Sequence, residues 1–265
     1  YIVSIPRDTL VTVPAHRSQD GTRDIPPLPG KINAAYAFGG APLLIQTIEE
    51  KTNLQIDHYI EVSFAGFTGI VDALGGIEVC SKVAIDDPKS HLVLAAGTHT
   101  LNGIEALKYV RTRDFDGRGD IGRMERQQQF VGAVLRKATS TGVLLNPIKL
   151  TNFYNAAISS VKMDAGVTKN DLLTLAKQLR NLSSGNVRTL TVPISNPNGR
   201  HPTAGSVVIW DEVLAANLWT KIRNDEALLE TVKPTASASA KPVTIDKFKT
   251  KTAADNPCAA IDSRA

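Results

Sequence analysis

Short strand-like and helix-like segments alternate along most of this chain. Extended runs at residues 58–63 and 187–193 are separated by segments in which apolar residues recur with helical spacing. This alternation is typical of a sheet covered by helices, and it predicts an α/β fold with a central mixed β-sheet flanked by helices in three layers. A chain of 265 residues forms one large domain or two small ones.

Glycine, proline and capping residues suggest where the elements end. The predicted helices cover residues 32–37, 42–52, 64–74, 103–109, about 119–139, 147–161, 169–182 and 211–223. The predicted strands cover residues 1–5, 58–63, 77–79, 187–193 and 206–209. Residues 14–30 are rich in polar residues, Pro and Gly, and they predict a long loop.

The composition changes near the C-terminus. From about residue 231 the chain is dominated by Ala, Ser, Thr, Lys and Pro, which predicts a folded domain over 1–230 and a linker-like tail over 231–265. Cys80 and Cys258 lack the spacing of metal or redox motifs, so they are either two buried thiols or one disulfide that pins the tail. A disulfide would indicate an oxidising compartment. Because the chain starts at Tyr1 inside a predicted strand, we interpret it as the cut end of a longer protein.

The charge balance excludes some functions. A net charge of +4, from 30 basic and 26 acidic residues, is too small for a nucleic-acid binder without a concentrated basic patch, so we expect no nucleic-acid partner. No apolar run is long enough to span a bilayer. Phosphate-loop, dinucleotide, zinc-protease and serine-hydrolase motifs are absent from the sequence, and the histidines lack metal-ligand spacing.

Residues 109–129 (YVRTRDFDGRGDIGRMERQQQ) concentrate arginines and aspartates. Taken alone, such a run is typical of a solvated, charge-balanced surface. Helix geometry favours another interpretation, since the apolar stripe of the following helix continues toward its N-terminus through polar residues. The predicted stripe contains Phe130, Val131, Val134, Leu135 and Ala138, and its continuation contains Asp120, Arg123 and Gln127.

Inward-facing charges near a helix N-terminus predict an anion site, because free N–H groups and guanidinium forks both favour phosphate oxygens. Arg111 and Arg113 are two residues apart in an extended segment, so their side chains can point the same way. Arg7 and Asp8 follow the first strand, where α/β folds often place ligand-binding groups. The alternative for this pair is a routine surface salt bridge.

Several short motifs follow one another along the chain: SIPRDT at 4–9, KINAAYA at 31–37 with Gly39-Gly40, VDALGGI at 71–77, and Arg111-Thr112-Arg113, Asp120, Gly122-Arg123 and Arg126-Gln127-Gln128. In their content and order these motifs resemble those of the LytR-CpsA-Psr family. The match covers about residues 1–140, and residues 187–223 look, less specifically, like the extra C-terminal region of actinobacterial members.

The resemblance implies a catalytic domain with a large apolar pocket for a polyprenyl tail and a pyrophosphate held at the pocket mouth. By motif position the catalytic residues are Arg7, Arg111, Arg113, Asp120 and Arg123, and the substrate-binding residues are Lys31, Gln127, Arg126 and Asp8. Asp120 is the hypothetical base for the acceptor hydroxyl, because it shares the inward sector with Arg123; Asp114 is the second choice.

The implied reaction moves a phospho-glycopolymer from a polyprenyl-pyrophosphate carrier to a peptidoglycan hydroxyl at the extracytoplasmic face of the bacterial membrane. The resemblance also implies Mg²⁺ as cofactor and a membrane partner through an N-terminal anchor. The chain begins after the family's N-terminal acidic motif and anchor, so the metal ligands cannot be named from it.

Two alternatives remain open at this point. A non-catalytic binding module for polyprenyl phosphate or polyanions at the cell envelope fits the missing acidic motif. A transcriptional regulator is disfavoured, because the sequence shows no helix-turn-helix or clustered basic helix. The apolar helix at 64–74 is either simply core or one wall of a lipid tunnel, with Gly66 and Gly69 leaving room beside the backbone.

Overall fold

The computed structural model describes residues 1–113, 119–138, 151, 155, 161–168, 171, 174, 186–232, 243–252 and 258. The first strands and helices are β1 Ile2–Ser4, β2 Leu10–Val13, β3 His16–Arg17, β4 Asp24–Ile25, β5 Leu28–Lys31, α1 Ile32–Thr52, β6 Ile60–Val62, α2 Phe64–Ala73, β7 Ile77–Ser81, β8 Ile85–Asp87, β9 Leu92–Leu94 and β10 Gly97–Leu101. They are followed by α3 Gly103–Arg111, α4 Gly119–Ala138, β11 Val161–Met163, β12 Arg188–Thr191, β13 Ile194–His201, β14 Gly205–Trp210, α5 Glu212–Arg223, β15 Glu230–Val232, β16 Val243–Ile245 and β17 Lys251–Thr252. The predicted α/β class is confirmed.

Tertiary contacts divide the chain into two compact units. Unit 1 contains Tyr1–Ile2, His58–Thr189 and Lys251–Ala265, and unit 2 contains Val3–Asp57 and Leu190–Thr250. No helix in the described part of the chain is both long enough and apolar enough to cross a membrane. The helices predicted at 147–161 and 169–182 fall almost entirely outside the described residues.

Unit 1 is organised around the antiparallel pair of β7 and β10, in which Ile77 lies opposite Leu101 and Ser81 opposite Gly97. Side chains alternate along β7, so that Ile77 and Val79 enter an apolar cluster while Glu78 is exposed. The same cluster receives Val71 of α2 and Phe130 of α4, and Phe67 and Ile70 pack against it. The core interpretation of the helix at 64–74 is therefore confirmed, and the tunnel stays a prediction.

Close approach of α2 to the start of α3 requires a glycine. A Cβ at Gly103 would lie 2.4 Å from the carbonyl oxygen of Thr68, so no larger residue fits without moving the backbone. The Gly103 N–H donates to Oδ1 of Asp72 at 2.7 Å, and a capping box formed by Asn102 and Glu105 begins the helix. These contacts determine where α3 begins and where its C-terminal end, Arg111, emerges.

The C-terminal region differs from the predicted linker-like tail. β15 pairs with β16, β17 pairs with β12, and Phe248 is buried in the unit 2 core. Cys258 is fully buried and forms a disulfide with Cys80, with 5.6 Å between their Cα atoms. The prediction was wrong for residues 243–252 because their few apolar side chains find partners that are distant in sequence.

Unit 2 also differs from prediction near its start. The expected long loop at 14–30 contains β3, β4 and most of β5, and β5 pairs antiparallel with β2 from Leu10–Lys31 to Val13–Leu28. Val11 and Val13 of β2 are buried against Ile32, so α1 covers one face of this strand pair. The two helices predicted at 32–37 and 42–52 are the halves of α1, which is kinked where Gly39 and Gly40 leave helical geometry.

The second core of unit 2 surrounds α5 and β14. Leu218 and Trp219 of α5 pack with Trp210, which ends β14. The indole Nε1 of Trp210 donates to the Thr9 hydroxyl at 3.2 Å, and Asp211 caps α5 by accepting from the Leu214 N–H. The helix predicted at 211–223 and its cap are confirmed.

Candidate functional site

Arg111 is the last residue of α3 and Arg113 lies two residues beyond it, so Arg111 is helical and not extended as predicted. The backbone of Val110–Arg113 is held by side chains from two other elements. The Gln127 amide donates to the Val110 carbonyl at 3.1 Å, and Nη2 of Arg126 donates to the Thr112 carbonyl at 2.6 Å. The Arg113 N–H donates to Oδ2 of Asp87 at 2.7 Å. The backbone between the two arginines therefore has a defined course.

The two arginine side chains have different surroundings. Arg111 is exposed, and its guanidinium carbon lies 5.2 Å from the ring centroid of Phe64, within the range of a cation–π contact. Phe64 is itself 64% exposed, so one face of this pair is open to a ligand. Arg113 is half-buried, beside the carboxylate that fixes its backbone. A cationic, partly apolar surface of this kind suits a phosphate attached to a lipid.

Helix α4 confirms part of the predicted inward sector and corrects the rest. Arg123 is buried as expected, at 8% exposure. Gln127 and Val131, which were predicted to face inward, are exposed, while Arg126 and Gln128 are buried. Phe130 is buried, and Val134 and Ala138 pack against the same apolar cluster, as predicted. The buried side of α4 also includes Arg126 and Ala133, so the true stripe extends toward these residues and away from Gln127 and Val131.

Burial changes the expected role of Arg126. This residue is only 4% exposed, and its guanidinium satisfies a backbone carbonyl at the end of α3. Burial raises the pKa of the Tyr109 phenol, and the nearby charge of Arg126 offsets part of this rise. Arg126 and Gln127 were predicted to bind substrate; in this structure both contact the segment that carries Arg111 and Arg113.

The remaining predicted residues lie in unit 2: Arg7 and Asp8 are in the turn between β1 and β2, and Lys31 ends β5. Oδ1 of Asp8 accepts from Nε of Arg7 at 3.4 Å and is 3.6 Å from Nζ of Lys31. Arg7 is about half exposed, at 53%, and Lys31 precedes the first turn of α1. Two cations and a helix N-terminus around a single carboxylate leave positive charge for an anion. The expected ion pair between Arg7 and Asp8 is therefore present, and Lys31 also pairs with Asp8.

The predicted site residues therefore belong to two groups. Arg7, Asp8 and Lys31 are in unit 2, and Arg111, Arg113, Arg123, Arg126 and Gln127 are in unit 1. Their meeting in one recess with apolar walls stays a prediction. The side chains of Asp114 and Asp120 lie outside the described residues, so their roles as base also stay predictions.

A metal ion would need a cluster of ligand side chains. Within the described ranges there is no group of three or more His, Cys, Asp or Glu residues that could hold an ion. The predicted Mg²⁺ stays a prediction, and no chemical step is assigned to it.

Sequence reasoning missed Asp87, whose buried carboxylate holds the Arg113 backbone. No local signal marks it, because Asp86 and Asp87 are adjacent, identical residues before Pro88. Strand alternation alone distinguishes them: in β8, Asp87 is buried like Ile85, whereas Asp86 is exposed.

Comparison with known proteins identifies the family. The model of the LytR_cpsA_psr family matches residues 1–224. The chain belongs to the LytR-CpsA-Psr family. This confirms the resemblance drawn from the motifs.

Curated LytR-CpsA-Psr relatives are similar over most of the chain. Probable cell wall biosynthesis protein LcpB of Corynebacterium glutamicum is 38% identical over 222 residues, which are 84% of this chain and 49% of LcpB. Polyisoprenyl-teichoic acid–peptidoglycan teichoic acid transferase TagU of Bacillus cereus is 35% identical over 181 residues, 68% of this chain and 53% of TagU. The chain thus spans about half the length of these relatives, whose names place the family at the cell envelope.

Solved LytR-CpsA-Psr structures share the fold. B. subtilis TagV superposes with a TM-score of 0.67 at 28% identity, covering 85% of this chain and 83% of TagV. The LytR-Csp2A-Psr enzyme from Actinomyces oris superposes with a TM-score of 0.65 at 22% identity, covering 83% of this chain and 79% of the enzyme, a likeness of fold alone. The predicted α/β architecture of the family is confirmed.

Proposed function

We propose that this chain is the transferase part of a phosphotransferase that moves a glycopolymer from a polyprenyl-pyrophosphate carrier to peptidoglycan. Family membership supports the proposal, as do the names of relatives such as TagU. The observation in this chain that carries it is the segment Val110–Arg113. In this segment the Val110 and Thr112 carbonyls and the Arg113 N–H are hydrogen-bonded to side chains of other elements. The Arg111 side chain lies beside the exposed ring of Phe64.

The chemistry needs fixed positive charge more than it needs a nucleophilic side chain. The acceptor hydroxyl of peptidoglycan attacks the phosphorus that bears the glycopolymer, and a new P–O bond forms. The bond from that phosphorus to the bridging oxygen breaks, polyprenyl phosphate leaves with the electron pair, and the hydroxyl proton passes to a base. Guanidinium groups in fixed positions stabilise the charge on the phosphate oxygens during this displacement.

The extracytoplasmic location is part of the proposal. The Cys80–Cys258 disulfide supports it, because such bonds persist in oxidising compartments outside the cytoplasm. Membrane attachment through an N-terminal anchor and the polyprenyl form of the donor are inferred from the family resemblance.

The decisive experiment measures release of polyprenyl phosphate by the full-length protein, given a polyprenyl-pyrophosphate glycopolymer and a peptidoglycan acceptor. We expect Arg111→Ala to lower turnover by about 10²–10³-fold, as removal of a donor to a developing charge does in other enzymes. The buried Arg123 is tested as Arg123→Lys, which keeps a cation while losing the planar fork. Arg200→Ala, on the exposed face of β13, is the matched control and should turn over like the unmodified protein.

The proposed base has its own test. If Asp120 accepts the proton, Asp120→Asn lowers turnover by about 10²–10⁴-fold while donor binding persists, and the same result in Asp114→Asn alone would transfer the role to that residue. Magnesium dependence is tested by chelation with EDTA and by adding the ion back. Donor that binds tightly but is never consumed, with magnesium present, would favour the non-catalytic binding module instead.

A further inference from the structure

Asp87 lies at the end of β8 and is almost completely buried, with 1% of its surface exposed. Both carboxylate oxygens accept hydrogen bonds from backbone groups. Oδ1 accepts from the N–H groups of Lys89 at 2.9 Å and Ser90 at 3.2 Å, and Oδ2 accepts from the Arg113 N–H at 2.7 Å. The same carboxylate therefore joins the turn after β8 to Arg113, at the end of the segment Val110–Arg113 (the arginine segment).

This bond completes a set of contacts around the two arginines. Arg126 and Gln127 of α4 hold the carbonyls of Thr112 and Val110, and Asp87 holds the N–H of Arg113. The Thr112 carbonyl and the Arg113 N–H belong to one planar peptide unit, so Arg126 and Asp87 hold its two sides and resist its rotation. The Gln127 bond holds the peptide unit before Arg111, and together these bonds fix the backbone from which both arginine side chains project.

We infer that Asp87 is a positioning residue of this site: it sets the direction of Arg111 and Arg113 toward a diphosphate without touching it. The inference rests on the proposed function. It requires a carboxylate, because the three backbone groups that bond the Asp87 carboxylate are all N–H donors. An amide in its place has one oxygen, so either the turn or Arg113 would face an N–H group instead of an acceptor.

The neighbouring Asp86 provides a matched control. It lies one residue earlier in the same strand, is exposed, and is opposite Val93 in the β8–β9 pair. Asp87→Asn and Asp86→Asn therefore make the same chemical change on opposite faces of one strand. We expect Asp87→Asn to weaken the binding of inorganic pyrophosphate about tenfold and to lower turnover at least as much, and Asp86→Asn to change either by less than about twofold.

A second comparison separates positioning from a general effect on folding. In an Arg111→Ala/Arg113→Ala background, a residue that acts through those arginines has nothing left to position. Asp87→Asn should then change pyrophosphate affinity by less than about twofold, whereas an independent structural role would repeat the tenfold loss. Equal losses in both backgrounds, or equal affinity of the Asp87→Asn and Asp86→Asn variants, would overturn the inference.

Hydrogen exchange tests the contact itself without relying on catalysis, and its first measurement needs only the unmodified protein. In the unmodified protein the Arg113 amide should exchange slowly, and Asp87→Asn should release it while Asp86→Asn does not. Rapid exchange of this amide in the unmodified protein would also overturn the inference. A protein that binds pyrophosphate with these dependences but transfers no glycopolymer would overturn the proposed function alone.

Discussion

Removing the Cys80–Cys258 disulfide should destabilise the protein by a large and calculable amount. The bond closes a loop between residues 178 positions apart in sequence. For a loop of this length, chain entropy in the unfolded state gives a loss of about 5 kcal/mol at 25 °C, the upper end of what single disulfides contribute. The effect should be close to this value because Cys258 is fully buried, so the folded protein holds the bond in a packed position.

Urea unfolding followed by far-ultraviolet circular dichroism measures the loss. With a slope of about 3 kcal/mol per M, the midpoint of the Cys80→Ala/Cys258→Ala variant should fall by roughly 1.5 M relative to the oxidised protein. Each single substitution breaks the same bond and should lower the midpoint about as much as the double. A reductant should do the same to the unmodified protein and nothing to the double variant.

The reasoning is refuted if the double variant unfolds within about 0.2 M urea of the oxidised protein. Such a result would mean that the bond does not restrict the unfolded chain by the calculated amount. A reductant that shifts the double variant would show that the effect does not come from this disulfide.

Two further predictions concern the core and an exposed carboxylate of unit 2. Leu218→Ala should lower the free energy of unfolding by about 2–5 kcal/mol, because Leu218 is fully buried in the α5 core. Val213 lies on the same helix but is 80% exposed, so Val213→Ala should change the free energy of unfolding by less than about 0.5 kcal/mol. Equal losses in the two variants would contradict this packing. The Ser18 hydroxyl, with help from Thr22, lowers the pKa of Asp20 from 3.8 to about 2, so the stability contributed by its ionised form is present above pH 3.8 and is lost as the pH falls toward 2. An NMR titration of the carboxyl should show this pKa in the unmodified protein and a higher one in Ser18→Ala; an unchanged value would exclude the hydroxyl as the cause.

Several elements were predictable because their signals are local. Gly103, Asn102 and Glu105 begin α3 where expected, and Asp211 caps α5. Pro42 fits the first turn of a second helix, so two helices were predicted, and the structure has one span with a kink at Gly39 and Gly40. In each case the residues that determine the boundary are within a few positions of it, so their preferences act before any tertiary contact forms.

Side-chain direction on α4 was less predictable. Neighbouring positions on a helix are about 100° apart, yet the polar pattern alone did not separate the exposed Gln127 from the buried Arg126. The choice between them depends on the carbonyls at the end of α3, which α4 meets only after packing. Polar residues on an inward face cannot be ordered by hydropathy, because the partners that satisfy them lie on other elements.

The sequence by itself determined the class of fold, most helix boundaries and the family, since these follow from periodicity, caps and ordered motifs. Only the tertiary structure decided that residues 14–31 form paired strands, that residues near 248 join a core, and that Asp87 rather than Asp86 faces the arginine segment. The physical reason is that backbone pairing and carboxylate burial are stabilised by groups distant in the chain. Those partners become neighbours only when the chain has folded.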